Sequence, residues 1–132
     1  MITPPSYGAV NPERLVEIAA EVVAETQRQL PPVLRAAIGD VIVHYERVPD
    51  EHVLAEGFEA DILGLFTGDA HGTEFARDQA MPPHILLYLE NLWAYAEEDE
   101  AMFRDETRTT LLHELGHYFG WGEDDLAARG LD

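Results

Sequence analysis

Two histidines spaced four residues apart constrain the fold of this chain more than any other feature. The segment over 111–120 reads L-L-H-E-L-G-H-Y-F-G, so His113, Glu114 and His117 form the pattern H-E-x-x-H. On an α-helix, residues four apart lie on one face, with Cβ atoms about 5–6 Å apart. Imidazole nitrogens from His113 and His117 can then reach one tetrahedral Zn²⁺ at about 2.0–2.1 Å each. The pattern therefore predicts a helix that carries part of a zinc site.

Glu114 follows the first histidine and is rotated by about 100° from it around the helix axis. Its carboxylate therefore misses the metal, but it can border a water molecule that the ion holds. A carboxylate in that place is suited to take a proton from the water as a general base. We predict Zn²⁺ as the cofactor and Glu114 as the catalytic base.

The helix around this pattern, over 100–119, is expected to have two different sides. At about 3.6 residues per turn, apolar side chains collect on one side of the helix, namely Ala101, Leu111, Leu112, Leu115, Tyr118 and Phe119. Glu106 and Thr110 fall on the other side with the two histidines. This division predicts that the apolar side packs into a core while the histidines face a cleft.

A third metal ligand is expected just after Gly120, which can end the helix with a positive φ and turn the chain back. Glu123 stands three residues beyond Gly120, and Asp124 and Asp125 follow it. One carboxylate among them would leave the fourth metal position to water, as catalytic zinc requires. We predict Glu123 as this ligand. The acidic run can also be the solvated start of a last short helix over 124–129, and both interpretations can hold together.

Composition excludes several other classes of protein. The 132 residues contain no cysteine, which excludes disulfides and cysteine-based zinc sites. The net charge is −18 and every positive charge is an arginine, so the surface repels phosphate backbones and anionic lipid. We therefore expect neither nucleic acid nor a membrane as a partner. The charge would steer a basic substrate towards the protein, although solubility alone also explains it.

The expected location is the cytoplasm. No apolar run approaches the roughly 18 residues that a membrane span needs. The first ten residues also lack the charged and apolar regions of a secretory signal. The oligomeric state is expected to be a monomer or a homodimer.

Hydrophobic periodicity predicts one α+β domain over 11–132, preceded by a flexible tail over 1–10. Asn11 and Pro12 begin an N-terminal helix that ends before two prolines. Patterns typical of strands and of short helices follow, with strands over 41–48, 62–67 and 84–89 and helices over 33–38, 50–56 and 91–95. Gly64 within the second strand indicates a bulge or a close backbone approach. The predicted architecture is a small three-stranded sheet packed by the N-terminal helix and the H-E-x-x-H helix.

The run H-E-L-G-H-Y-F-G-W-G-E over 113–123 resembles the H-E-x-x-H-x-x-G-x-x-[H/D] pattern of zincins. The runs I-L-G-L-F-T-G over 62–68 and P-H-I-L-L-Y over 83–88 are similar to those of the small bacterial zincin-like metallopeptidases, the mini-zincins. The resemblance covers about residues 30 to 128. It implies a minimal zincin-like domain, a peptide or protein substrate, and a sheet edge beside the active-site helix that pairs with extended substrate.

Two departures from the family pattern leave an alternative open. Glu123 stands where zincins carry His or Asp, and every methionine precedes the motif, which excludes a Met-turn. The alternative is a zinc-binding domain that serves as a partner-binding module without turnover. A structural zinc site would need four protein ligands, of which His71 would be one. The candidates for stabilising an oxyanion are Tyr88, Tyr95, Tyr118, His71 and His84.

Overall fold

The computed structural model describes residues 11–68, 82–121 and 123–128. In chain order, its elements are α1 (Pro12–Gln29), α2 (Pro32–Ala37), a 3₁₀ turn (Ile38–Asp40), β1 (Ile42–Glu46), α3 (Glu51–Ala55), β2 (Gly64–Thr67), β3 (His84–Tyr88), α4 (Leu89–Tyr95), α5 (Glu100–Phe119) and α6 (Glu123–Ala128). The predicted tail over 1–10 lies outside the described residues. Among the helices in these ranges, none has the length and apolar composition that crossing a membrane requires.

The strands form one mixed sheet in the order β1-β3-β2. β1 runs parallel to β3, with Ile42 opposite His84, and β2 runs antiparallel to β3, with Thr67 opposite His84. β3 is the central strand, and its residues Ile85 and Leu87 are fully buried. An apolar run of this kind is typical of a strand with neighbours on both sides. The fold is therefore the α+β arrangement that the sequence predicts.

The main core lies between the sheet and the long helices α1 and α5. The side chains that fill it share an almost complete loss of solvent contact, which is the main favourable contribution to folding. They include Leu15, Ile18, Val22, Ile85, Leu87, Phe103, Leu111, Leu112 and Leu115. The predicted helix start is also confirmed, because the Asn11 side chain accepts a hydrogen bond from the Glu13 backbone N–H at 2.8 Å.

Several predicted boundaries are wrong by about two residues, and tertiary contacts explain one of them. β2 begins at Gly64 instead of 62. The segment before it is held by a side chain of α4, because Asn91 Nδ2 donates to the carbonyls of Ala60 and Ile62 at 2.9 Å each. β1 spans 42–46 instead of 41–48, and α4 begins at Leu89, directly after β3, instead of at 91.

The other face of the sheet carries a smaller apolar cluster beneath α3. Val53 of α3 packs with Leu65 of β2 and Tyr88 of β3, and all three are buried. α3, in the place where the sequence predicts a short helix over 50–56, has Asp50 as its N-cap, with the Asp50 carboxylate accepting from the Val53 backbone N–H at 3.0 Å. The sheet therefore has a main core on one face and a thinner cover on the other.

Candidate metal centre

The helix that carries His113 and His117 is fixed at both ends by local hydrogen bonds. Asp99 caps its start, with a side-chain oxygen that accepts from the Met102 N–H at 2.9 Å. Gly120 ends it with φ 74° and ψ 23°, in the left-handed region that the sequence predicts. The Trp121 N–H then donates to the Gly116 carbonyl at 2.7 Å, which is the Schellman arrangement. The H-E-x-x-H pattern therefore occupies the last two turns of α5.

The two histidine side chains approach each other at the protein surface. His113 Nε2 and His117 Nε2 are 3.1 Å apart, and both side chains are exposed. Two nitrogens bound to one tetrahedral zinc at about 2.0–2.1 Å would be about 3.3 Å apart. The observed separation differs from that value by only a few tenths of an ångström, so the imidazole pair fits a zinc ion.

Glu114 is buried beside this exposed pair, with 7% of its surface accessible. Its carboxylate and the two imidazoles offer donor atoms that all lie within 4.8 Å of one another. Burial raises the pKa of Glu114, while the nearby His117 and His113 and the Phe66 backbone N–H, which donates to the carboxylate, act in the opposite direction. The acid therefore lies against the edge of the sheet, where the Phe66 backbone faces it.

The close contact between β2 and α5 depends on Gly64. A Cβ at this position would lie 2.7 Å from Thr110 Cγ2 and 3.4 Å from Glu114 Cγ. Of the two interpretations that the sequence offered for Gly64, the close approach is confirmed. A bulge is excluded, because the pairing of β2 with β3 is continuous from Gly64 to Thr67. The glycine allows the strand to cover Glu114.

β2 is the edge strand beside α5, a point that the sequence left open. The Tyr88 N–H donates to the Leu63 carbonyl at 3.0 Å, which makes these two residues a hydrogen-bonded pair. Hydrogen-bonded and non-bonded pairs alternate along antiparallel strands. The backbone groups of Gly64 and Phe66 therefore point away from β3, and the Phe66 N–H meets Glu114 there.

A cleft of about 290 Å³ opens between α5 and the start of β2. It is lined by Ile62, Leu63, Gly64, Glu106, Thr109, Thr110, His113 and Glu114. The prediction that Glu106 and Thr110 face a cleft together with the two histidines is confirmed for His113, whereas His117 is not among the residues that line this cleft.

The prediction that Ala101 belongs to the core is wrong, because α5 first contacts the core at Phe103. The buried face of α5 is also wider than its apolar face. β2 covers Thr110 and Glu114, and both side chains are buried. The periodicity predicted Thr110 on the open side of the helix and Glu114 beside the metal.

The predicted third ligand, Glu123, is the first residue of α6. This helix begins one residue earlier than the predicted range of 124–129, so Asp124 and Asp125 belong to its first turn, where both are exposed. The structure does not describe the side chain of Glu123. His71, the proposed fourth ligand of a structural zinc site, also lies outside the described residues. Ligation by Glu123 stays a prediction.

The structure does not bring the described oxyanion candidates to the cleft. Tyr88 is buried on the far face of the sheet and Tyr95 is exposed at the end of α4. The Tyr118 hydroxyl donates to the Ala37 carbonyl at 3.4 Å, and His84 pairs with His44. His71, the fifth candidate, lies outside the described residues. Residue type alone predicts these candidates, whereas the orientations of the sheet and the helices decide where their side chains point.

The comparison with protein families agrees with this geometry. The family model of the zincin-like metallopeptidases matches residues 38–131, which is more than half of the chain and includes the sheet, α5 and the following turn. No curated protein matches the chain. The family implies a bound metal, typically zinc. Among the described residues, His113, Glu114 and His117 form the group that could hold such an ion. The chain belongs to the zincin-like metallopeptidase family.

Proposed function

We propose that this protein is a zinc-dependent peptidase in which His113, His117 and Glu123 hold the ion and Glu114 is the general base. The position of Glu114 carries the proposal. It is the buried acid beside an exposed histidine pair, it lines an open cleft, and the Phe66 backbone N–H faces its carboxylate. A buried carboxylate with a purely structural role would not require imidazole nitrogens beside it. Here the ligand atoms of Glu114, His113 and His117 all lie within 4.8 Å of one another.

Glu114 performs the proton transfers in this proposal. Zinc, when bound, supplies Lewis-acid chemistry that lowers the pKa of water and polarises a carbonyl. The Glu114 carboxylate takes a proton from the attacking water as the new C–O bond forms. It then gives that proton to the amine nitrogen as the C–N bond breaks. The Phe66 backbone N–H, which faces the carboxylate, would orient it for these transfers and so limit the loss of entropy on reaching the reactive geometry.

The proposed substrate is an extended peptide that lies along the free edge of β2. In the described part of the chain, β2 has a strand neighbour only on the β3 side. The Gly64 backbone and the Phe66 carbonyl point to the open side, where a peptide can add as a further strand. Glu106 in the cleft wall and the net charge of −18 favour basic side chains on that peptide.

The second candidate is a partner-binding module that holds zinc and turns over no peptide. One observation favours it: the described lining of the cleft contains no tyrosine or arginine to stabilise an oxyanion. Losing one such donor typically costs a factor of about 10²–10³ in rate. The module and the peptidase share the metal and the peptide groove, so only turnover separates them.

Digestion of a diverse peptide library by the zinc-loaded protein tests the proposal. We expect cleavage that a chelator abolishes and that Glu114→Gln lowers by at least about 10²-fold, the low end of general-base contributions. Zinc content and thermal stability should stay near those of the wild type in this variant. Asp105→Asn is the matched control, because it removes an exposed carboxylate of the same helix that does not line the cleft, and its rate should change only a few-fold.

Two other outcomes would contradict the peptidase mechanism. Hydrolysis that survives Glu114→Gln would assign the base to another residue. Peptide capture by both the wild type and Glu114→Gln, with no hydrolysis by either, would establish the binding module instead.

A further inference from the structure

A second histidine cluster lies on the face of the sheet that is turned away from α5. Side chains alternate along a strand, so His44 and Glu46 of β1 project from the same face. His84 of β3 and Thr67 of β2 project from that face as well, and all four line one cavity there. None of these residues belongs to the cleft beside His113.

This cavity has a volume of about 350 Å³ and an apolar floor with polar walls. Leu65 and Leu86 form the floor, and α3 closes one side. His52 of α3 and Glu56, the residue that follows the helix, also line the cavity. They are four residues apart and therefore lie on the same side of that segment.

His44 and His84 are in direct contact within the cavity. His44 Nε2 and His84 Nδ1 are 2.7 Å apart, and both side chains are half-buried. For two nitrogens on one metal at about 2.0–2.1 Å, a separation of about 2.9–3.3 Å corresponds to angles between square and tetrahedral. A shift of a few tenths of an ångström would open this pair to an ion. The His113–His117 pair, at 3.1 Å, shows nearly the same approach.

The charge around the pair favours a cation. Glu46 and Glu56 line the cavity, and in the described part of the chain neither carboxylate forms an ion pair. No described arginine lines the cavity. Carboxylates alone would suit Mg²⁺ or Ca²⁺, whereas imidazole nitrogens select transition metals such as zinc.

We propose that His44 and His84 form a second binding site for a divalent transition-metal ion, independent of the zinc site on α5. Among the described residues, three donor atoms converge only at His113, Glu114 and His117. In the observed side-chain conformations, the second site therefore has two protein ligands, and water would fill the other coordination positions of the ion. It should bind its ion more weakly than the first site does, and a chelator should empty it first.

Zinc binding by the His113→Ala/His117→Ala double variant tests this proposal, because that background lacks the site on α5. The apo protein is dialysed against Zn²⁺ in the presence of excess Mg²⁺, which occupies sites made only of carboxylates. We expect one zinc equivalent per chain. Adding His44→Ala or His84→Ala should remove it, whereas Thr67→Ala, in the same cavity but without a nitrogen ligand, should keep it.

Nuclear magnetic resonance of ¹⁵N-histidine in the same double variant identifies the ligands without altering the pair. Zn²⁺ should shift the Nε2 signal of His44 and the Nδ1 signal of His84. Absence of zinc binding in the double variant would show that the pair is only a hydrogen bond and would overturn the proposal. Zinc that remains after His44→Ala and His84→Ala would place the ion elsewhere and would overturn it as well.

Discussion

The backbone of Gly64 lies so close to Thr110 that a Cβ at position 64 would stand 2.7 Å from Thr110 Cγ2. This contact sets the distance between β2 and α5. At that distance the Phe66 N–H reaches the Glu114 carboxylate. The missing side chain of one residue thus fixes the position of the proposed base, although that residue takes no part in the chemistry.

Gly64→Ala should therefore lower both stability and hydrolysis. The added methyl group overpacks the strand–helix contact, and we expect the free energy of unfolding to fall by about 1–3 kcal/mol. Thr110→Ser removes the obstructing Cγ2 and keeps the hydroxyl, so the double variant should recover part of the loss. Denaturant unfolding of the two single variants and the double variant measures this coupling.

Gly39→Ala is the matched control for that experiment, because no atom lies within 4 Å of a Cβ at position 39. Its stability should stay near that of the wild type. Additive losses in Gly64→Ala and Thr110→Ser would show that Cγ2 is not the obstruction.

His113→Ala and His117→Ala should each lose one zinc equivalent per chain and keep the fold. Both side chains are exposed, so neither truncation leaves a cavity in the core. Because α5 also packs into the core, the apo protein should remain folded, unlike a zinc finger. Elemental analysis gives the zinc content, and circular dichroism of the apo forms gives the melting temperature. Full zinc content in either variant would exclude the proposed site.

Glu123→Ala should weaken zinc binding by about 10-fold or more, and Asp124→Ala should weaken it less. Glu123 is the first residue of α6, three residues beyond Gly120, whose left-handed conformation ends the helix that carries His117. Competition with a chromophoric chelator measures both affinities, and Asp124→Ala serves as the control for loss of one negative charge. The opposite ranking would assign the third ligand to Asp124.

Gly120→Val should lower stability and zinc affinity together, whereas Gly120→Asn should have a smaller effect. The φ of 74° at Gly120 is costly for a β-branched residue and tolerable for asparagine. Nothing lies within 4 Å of a Cβ at this position, so the cost arises in the backbone. Thermal unfolding and chelator competition compare the two variants. Equal losses in both would point to a steric cause instead.

The sequence by itself determined the features whose causes are local. The cap at Asn11 and the glycine at position 120 set helix ends through bonds between near neighbours in the chain. The spacing of His113 and His117 placed both on one face of α5 for the same reason. These predictions depend only on helix geometry, and the structure bears out the start of α1 and both ends of α5.

Only the tertiary structure decided which strand lies at the edge and what covers each buried group. The order β1-β3-β2 depends on pairing between strands separated by long connections, and a local pattern does not encode it. For the same reason the sequence could not show that Phe66 meets Glu114 or that His44 meets His84, forty residues away. Such contacts form when distant segments bury their apolar faces together, because packing of the whole chain outweighs the preference of any one segment.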